Sequence, residues 1–179
     1  MKGHYAPGSV VLDAGCGEGR NLHWFLQAGL PVFGTDINVA AISHLRSQYP
    51  HLPPDRFRAE PVEAMSFAGE TFDHVVSSAV LHFAENKDHF FAMLRDMLRV
   101  LRPGGSLFIR MASDIGIEEK VQPLGNGVFA LPDGRTRFLL TRSLLQQVLQ
   151  QWEVTLLEPF KTVNVADMRC MSTLVLQLQ

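Results

Sequence analysis

The order of elements along this chain predicts an α/β fold: a doubly wound, mostly parallel seven-stranded sheet with helices on both faces and the last strand antiparallel. Three observations predict it. Short apolar runs alternate with segments of helical period, a glycine-rich turn joins the first run to the first helix, and the tail becomes β-rich.

Residues 9–13 (SVVLD) are a compact apolar run, as expected of a buried parallel strand. Residues 21–28 follow as a helix with Leu22, Phe25 and Leu26 on one face, stopped by Gly29. Residues 32–36 form a second strand, and Asn38 is placed to cap a helix through Gln48 that ends before Pro50. A third short strand lies around Phe57 and a fourth over residues 73–78. Residues 87–101 are the strongest helical segment: Phe90, Phe91, Leu94, Met97, Leu98 and Leu101 recur at helical spacing, and Pro103-Gly104-Gly105 ends them. Residues 106–110 read as a fifth strand. Five strand-then-helix alternations with right-handed crossovers place every strand's C-terminal end on one edge, where ligands bind in such sheets. After a helix capped by Thr141, residues 153–157 and 173–178 read as an antiparallel pair closing the sheet.

Length and charge bound the function. One domain over residues 1–179 accounts for the whole sequence. A net charge of −2, from 16 Lys and Arg against 18 Asp and Glu, offers no field for nucleic acid. Apolar runs fall short of the ~20 residues that cross a bilayer, and Met1-Lys2-Gly3-His4 opens no apolar leader. The two cysteines, Cys16 and Cys170, lack metal or disulfide spacing, and the histidines other than His82 lack metal-ligand spacing. A cytoplasmic monomer or homodimer, without metal, nucleic acid or membrane, is the expectation.

The chemistry concentrates in Asp13-Ala14-Gly15-Cys16-Gly17-Glu18-Gly19-Arg20, between the first strand and the first helix. Alternating glycines let the backbone turn tightly and approach a ligand where a Cβ would collide. Asp36 ends the second strand, where a carboxylate can accept two hydrogen bonds from a ribose diol. A dinucleotide fingerprint has its third glycine three positions after the second; Arg20 stands there, and Gly19 comes early. Asp13 would repel a pyrophosphate but suits an amino group and a sulfonium. The pattern favours a cationic nucleoside over NAD.

Residues 11–20 resemble the first motif of class I S-adenosylmethionine-dependent methyltransferases. Gly34-Thr35-Asp36, Val62-Glu63 to Phe67, Thr71-Phe72-Asp73 running into Leu81-His82, and residues 99–105 match further motifs in order. The likeness spans about residues 9–110, and Gly19-Arg20-Asn21 is similar to the tellurite-resistance methyltransferase branch. The resemblance implies a Rossmann-like methyltransferase fold that binds S-adenosyl-L-methionine and releases S-adenosyl-L-homocysteine. Asp13, Gly15, Cys16, Gly17 and Gly19 would then surround the methionine part. Asp36 would hold the ribose and Ile37 would pack on adenine. Val62 and Glu63 would lie at the adenine edge, and the Ser78 carbonyl would meet the methionine amine. Where the family often carries an Asp before Val62, Pro61 stands, leaving Glu60 or Glu63 as substitutes.

His82 follows the fourth strand at the ligand edge, as a base, an acceptor-orienting group or a loop-packing residue. Phe83, Phe90 and Phe91 read as core. Arg110, Arg135, Arg137, Arg142 and Arg169 are either grips for an anionic acceptor or a solvated surface. The basic surface and Asn/Asp-Pro-Pro-aromatic signature of amino-methylating nucleic-acid enzymes are missing, which favours a small-molecule acceptor. A non-catalytic S-adenosylmethionine-binding module is the alternative of another kind, and an NAD-dependent oxidoreductase the rival enzyme. Residues 112–140 form the longest stretch without helical period and are expected to be a substrate-side lid, with a hairpin around Pro132-Asp133-Gly134.

Overall fold

The computed structural model describes residues 5–179, so the reading of Met1 to His4 lies outside it. At its centre β1 (Val11–Ala14) pairs in parallel with β2 (Val32–Asp36) on one side and β4 (Phe72–Ser78) on the other. Beyond β2 lies β3 (Phe57–Ala59), and beyond β4 lies β5 (Leu101–Ser113), both parallel to their neighbours. The direction then reverses. β11 (Arg169–Leu178) runs antiparallel to β5 from Cys170↔Ser113 to Gln177↔Ser106. β10 (Lys161–Val165) continues the path, giving the order β10-β11-β5-β4-β1-β2-β3. An eighth strand, β9 (Val154–Leu156), pairs antiparallel with the far end of β11, as expected of the tail.

Successive strand residues face opposite layers. Val11 and Val76 join Leu22, Phe25, Ile42 and Leu45 from α1 (Leu22–Gln27) and α2 (Val39–Gln48). Leu12 and Val75 join Phe90, Leu94, Leu144 and Val148 from α3 (Lys87–Val100) and α4 (Arg142–Gln151). Helices therefore cover both faces. At six residues α1 is far too short to persist alone. Burial of Leu22 and Phe25, about 1.5–3 kcal/mol each, is what holds it.

The caps follow the sequence. Asn38 Oδ1 accepts the N–H groups of Ala40 and Ala41, and Asn86 Oδ1 that of His89. Thr141 Oγ1 accepts the Leu144 N–H, opening α4.

Three expectations change. No helix joins β3 to β4 among the described residues: the connection is a loop clamped on α3, where Asp96 accepts the Met65 N–H and Arg99 donates to the carbonyls of Met65 and Phe67. The fifth strand is longer than residues 106–110, because Leu101 already pairs with Phe72 and residues 102–105 bulge out before Ser106 meets His74. On α3, Met93 is buried where Phe91 was expected.

Within residues 112–140 a separate antiparallel sheet forms from β6 (Gln122–Gly125), β7 (Val128–Ala130) and β8 (Thr136–Phe138). The expected hairpin is present as β7 and β8. Phe138 pins it, fully buried and stacked 5.0 Å from Phe90. Gly127 lets that ring approach, since a Cβ there would meet Phe138 Cε2.

Candidate functional site

The glycine turn leaves β1 at the C-terminal edge and consumes most of its own donors. The N–H groups of Gly15 and Cys16 both go to the Thr35 carbonyl, and that of Gly19 to the Cys16 carbonyl. Gly17 N–H donates to Asp36 Oδ2 at 2.8 Å, while Asp36 Oδ1 accepts the Asn38 N–H at 2.9 Å. The Asp36 carboxylate is thus held from both sides and keeps lone pairs free for hydroxyl groups. Gly15 has φ +82°, and a Cβ there would lie 2.3 Å from Val80 Cγ2.

Three cavities converge on this edge. One of about 490 Å³ is walled by Gly15, Cys16, Gly17, Asn21, Ser78 and Arg110. A second, about 330 Å³, lies between Asp36, Ile37, Val62, Glu63, Phe83 and Met93. The third, about 300 Å³, lies under the hairpin and includes His82, Phe83, Arg110 and Asp133. Ala79 borders all three and Gly15 the first two. Ala79 has φ +64°, uncommon for a residue with a Cβ, and its N–H donates to the Arg110 carbonyl at 2.7 Å.

Eight of the ten residues expected to meet a cofactor stand on these walls: Gly15, Cys16, Gly17, Asp36, Ile37, Val62, Glu63 and Ser78. Ile37 is 74% exposed, leaving an apolar face for a flat partner. Two stand elsewhere. Gly19 packs behind the turn, where a Cβ would lie 2.5 Å from Leu45 Cδ2. Asp13 is fully buried beneath the turn and strapped by Asn21 Nδ2 at 3.3 and 3.4 Å. Burial pushes the Asp13 carboxyl up to about 7, against the lowering effect of the Asn21 hydrogen bond. Burial likewise raises the Cys16 thiol, which suits a packed side chain and not a nucleophile. Of the two acids flanking Pro61, Glu60 is engaged by the N–H and hydroxyl of Ser66, whereas Glu63 lines the second cavity.

His82 is buried, and its Nδ1 accepts the Ala112 N–H at 3.2 Å, which leaves the neutral ring's proton on Nε2. Burial, then Arg137 and Arg110, hold its pKa down to about 4. A neutral donor results, with little capacity as a base at pH 7.

Phe83 corrects the sequence reading. It is 60% exposed, borders two cavities and carries the Arg137 guanidinium 4.8 Å over its ring. Phe90 is core, as expected, and Phe91 is partly buried against it. Its place just past β4, at the ligand edge, was the available signal for Phe83. Ala79 had none, because alanine does not announce a left-handed backbone. Four arginines, Arg110, Arg135, Arg137 and Arg169, share the third cavity, while Arg142 pairs with Glu118 at 3.7 Å. Among the described residues no group of three or more His, Cys, Asp or Glu side chains is arranged for a metal, and no helix is long and apolar enough to cross a membrane.

Residues 12–109, more than half of the chain, match the family described as Methyltransferase domain. A malonyl-acyl-carrier-protein O-methyltransferase from Pectobacterium atrosepticum is 26% identical over 84% of this chain and 56% of its own length. The chain spans a smaller share, 39%, of another curated relative. Among solved structures, a SAM-dependent methyltransferase from Methanosarcina mazei superposes with TM-score 0.80 at 19% identity, covering 98% of this chain and 94% of that one. A Burkholderia thailandensis 1,6-didemethyltoxoflavin-N1-methyltransferase, with 1,6-didemethyltoxoflavin and S-adenosylhomocysteine bound, superposes with TM-score 0.69 at 22% identity over 96% of this chain and 72% of its own.

Proposed function

The chain belongs to the methyltransferase-domain family of S-adenosylmethionine-dependent proteins, and from that premise we propose that it transfers the methyl group of S-adenosylmethionine to a small-molecule acceptor. The observation that carries the reading is the meeting of three cavities at Ala79, two bordering the glycine turn and one beyond it. Bound S-adenosylmethionine supplies a methyl on a sulfonium: its carbon bonds to the acceptor's nucleophile while the carbon–sulfur electron pair stays on sulfur.

The residues fit this ligand. Gly15 and Gly17 border the methionine side without side chains, and the Ser78 end of β4 offers carbonyl oxygen to an ammonium group. Asp36 would accept from the ribose hydroxyls, and Ile37 would pack on adenine with Val62 and Glu63 at its edge. A diphosphate fits less well, because the N–H groups of Gly15, Cys16, Gly17 and Gly19 are already satisfied within the protein. The protein's remaining work is orientation and exclusion of water. His82 Nε2–H positions the acceptor as a donor, and the acceptor's proton, where it has one, leaves to solvent. The hairpin over residues 128–138 covers the acceptor side as part of the 112–140 lid.

Calorimetric titration with S-adenosylmethionine, S-adenosylhomocysteine and NAD tests the reading. Micromolar binding of the first two, with little heat from NAD, is the expected result. Tighter binding of NAD overturns it. Release of S-adenosylhomocysteine in a metabolite mixture then separates an enzyme from a module that only binds.

A further inference from the structure

The third cavity has a composition at odds with the rest of the chain. In a protein of net charge −2, four guanidinium groups and one carboxylate border about 300 Å³. They arrive from separate segments: Arg110 from β5, Arg135 and Arg137 from the hairpin, and Arg169 from the start of β11. The lone carboxylate, Asp133, does not neutralise them. Its Oδ1 accepts the Arg135 N–H, while its buried Oδ2 has no hydrogen-bond partner and lies 4.0 Å from both Arg135 Nε and Arg169 Nη1. Among the described residues no carboxylate comes within 4.0 Å of Arg110 or Arg137. Arg137 is held by its own neighbourhood, donating to the Thr136 carbonyl and lying over Phe83.

Four like charges gathered around a single carboxylate still repel one another, and an anion between them lowers that cost. Guanidinium forks match the paired oxygens of carboxylate and phosphate groups. The cavity also adjoins the glycine-turn cleft through Ala79 and Arg110, and the Asp36 cleft through Ala79 and Phe83. Its position is therefore where an acceptor meets the methyl group.

The geometry points to an anionic acceptor: a small molecule whose carboxylate or phosphate is gripped by Arg110, Arg135, Arg137 and Arg169, with its nucleophilic atom directed to the Ala79 side. This rests on the methyl-transfer reading above and deepens it. Asp133 is a positioning residue, lying between Arg135 and Arg169, while Phe83 steadies Arg137. Because Arg135 and Arg169 are 58% and 42% exposed, their share of the grip is screened by salt.

The test uses benzoate, phenyl phosphate and the neutral isostere benzamide as probes, titrated with and without saturating S-adenosylhomocysteine. Benzoate or phenyl phosphate is expected to bind with millimolar affinity, weakening as sodium chloride rises, and benzamide to bind at least roughly tenfold more weakly. The preferred anion tells carboxylate from phosphate. Arg137→Gln, and separately Arg169→Gln, should each weaken the anion by roughly tenfold while leaving S-adenosylhomocysteine affinity and the melting temperature close to the parent; Arg142→Gln should leave all three unchanged. Benzamide binding as well as both anions, or unaltered anion binding in both cavity variants, overturns the proposal even if S-adenosylhomocysteine binds normally. Failure of S-adenosylhomocysteine to bind overturns the methyl-transfer reading, and the acceptor role of the cavity with it, whatever the anions do.

Discussion

The glycine-turn half of the ligand edge and the hairpin half are built by opposite means. Around the turn, much of the wall comes from short contiguous stretches at the ends of β1 and β2, faced by Ser78 and Arg110, and the backbone's own hydrogen bonds, such as Gly17 N–H to Asp36, set the shape. Beyond Ala79, the walls are side chains from the segment after β4, from β5, the hairpin and β11, brought together by the antiparallel seam between β5 and β11 and by the packing of the hairpin's Phe138 on Phe90. Backbone-made sites tolerate few substitutions but accept one ligand shape. Sites made of side chains on separate segments change their ligand by exchanging residues, without disturbing the sheet.

If that contrast holds, damage should be largest at the turn. Gly15→Ala forces a Cβ into the left-handed region and onto Val80. Conformational strain of about 1–2 kcal/mol and overpacking of about 1–3 kcal/mol should together lower stability by roughly 2–5 kcal/mol, read by urea unfolding. A loss under about 1 kcal/mol would show that the turn is not rigid.

Asp13 sharpens the comparison through pH. Its folded-state pKa of about 7 lies above the ordinary 3.8, so between these values the folded protein holds a proton that the unfolded chain has released. Stability from this group is intact below about pH 4 and falls by about 1.4 kcal/mol per pH unit until about pH 7. Asp13→Asn should remove that slope, gaining on the parent as pH rises through the window. Parallel stability–pH curves for the two proteins would show that burial of Asp13 does not raise its pKa.

Asp36→Ala should weaken S-adenosylhomocysteine roughly 10²-fold by calorimetry, from two lost charge-assisted hydrogen bonds. A modest fall in melting temperature should accompany it, since the N–H groups of Gly17 and Asn38 lose their acceptor. Affinity unchanged within about threefold would remove Asp36 from the ribose.

The smallest effect belongs to the hairpin side. Phe83→Ala removes a partly exposed cation–π contact of about 0.5–1 kcal/mol with Arg137. Benzoate affinity should fall by about two- to fivefold, with the melting temperature nearly unchanged. A large stability loss would instead make Phe83 a core residue, as its sequence neighbourhood suggested.

Local chemistry decided the parts of this protein that the sequence alone determined. Parallel strands in a two-sided sheet are apolar throughout, helix starts carry Asn or Thr, and a tight turn needs glycine, so residues 9–110 announced most of their elements, and eight of the residues named from their near neighbours line the clefts at the glycine turn. Only the tertiary structure decided the rest. The link between β3 and β4 lacks a helix because Asp96 and Arg99, 31 to 34 residues away, satisfy its backbone. Asp13 turned inward because Asn21 strapped it there rather than capping α1. Arg110 and Arg169 are 59 positions apart in sequence and share a cavity because Thr173 on β11 pairs with Arg110 on β5, a register set by side-chain burial along the whole seam. Long-range pairing of this kind leaves no mark on either segment by itself, which is why the sequence left five arginines between an anion grip and a solvated surface, while the fold puts four of them on one wall.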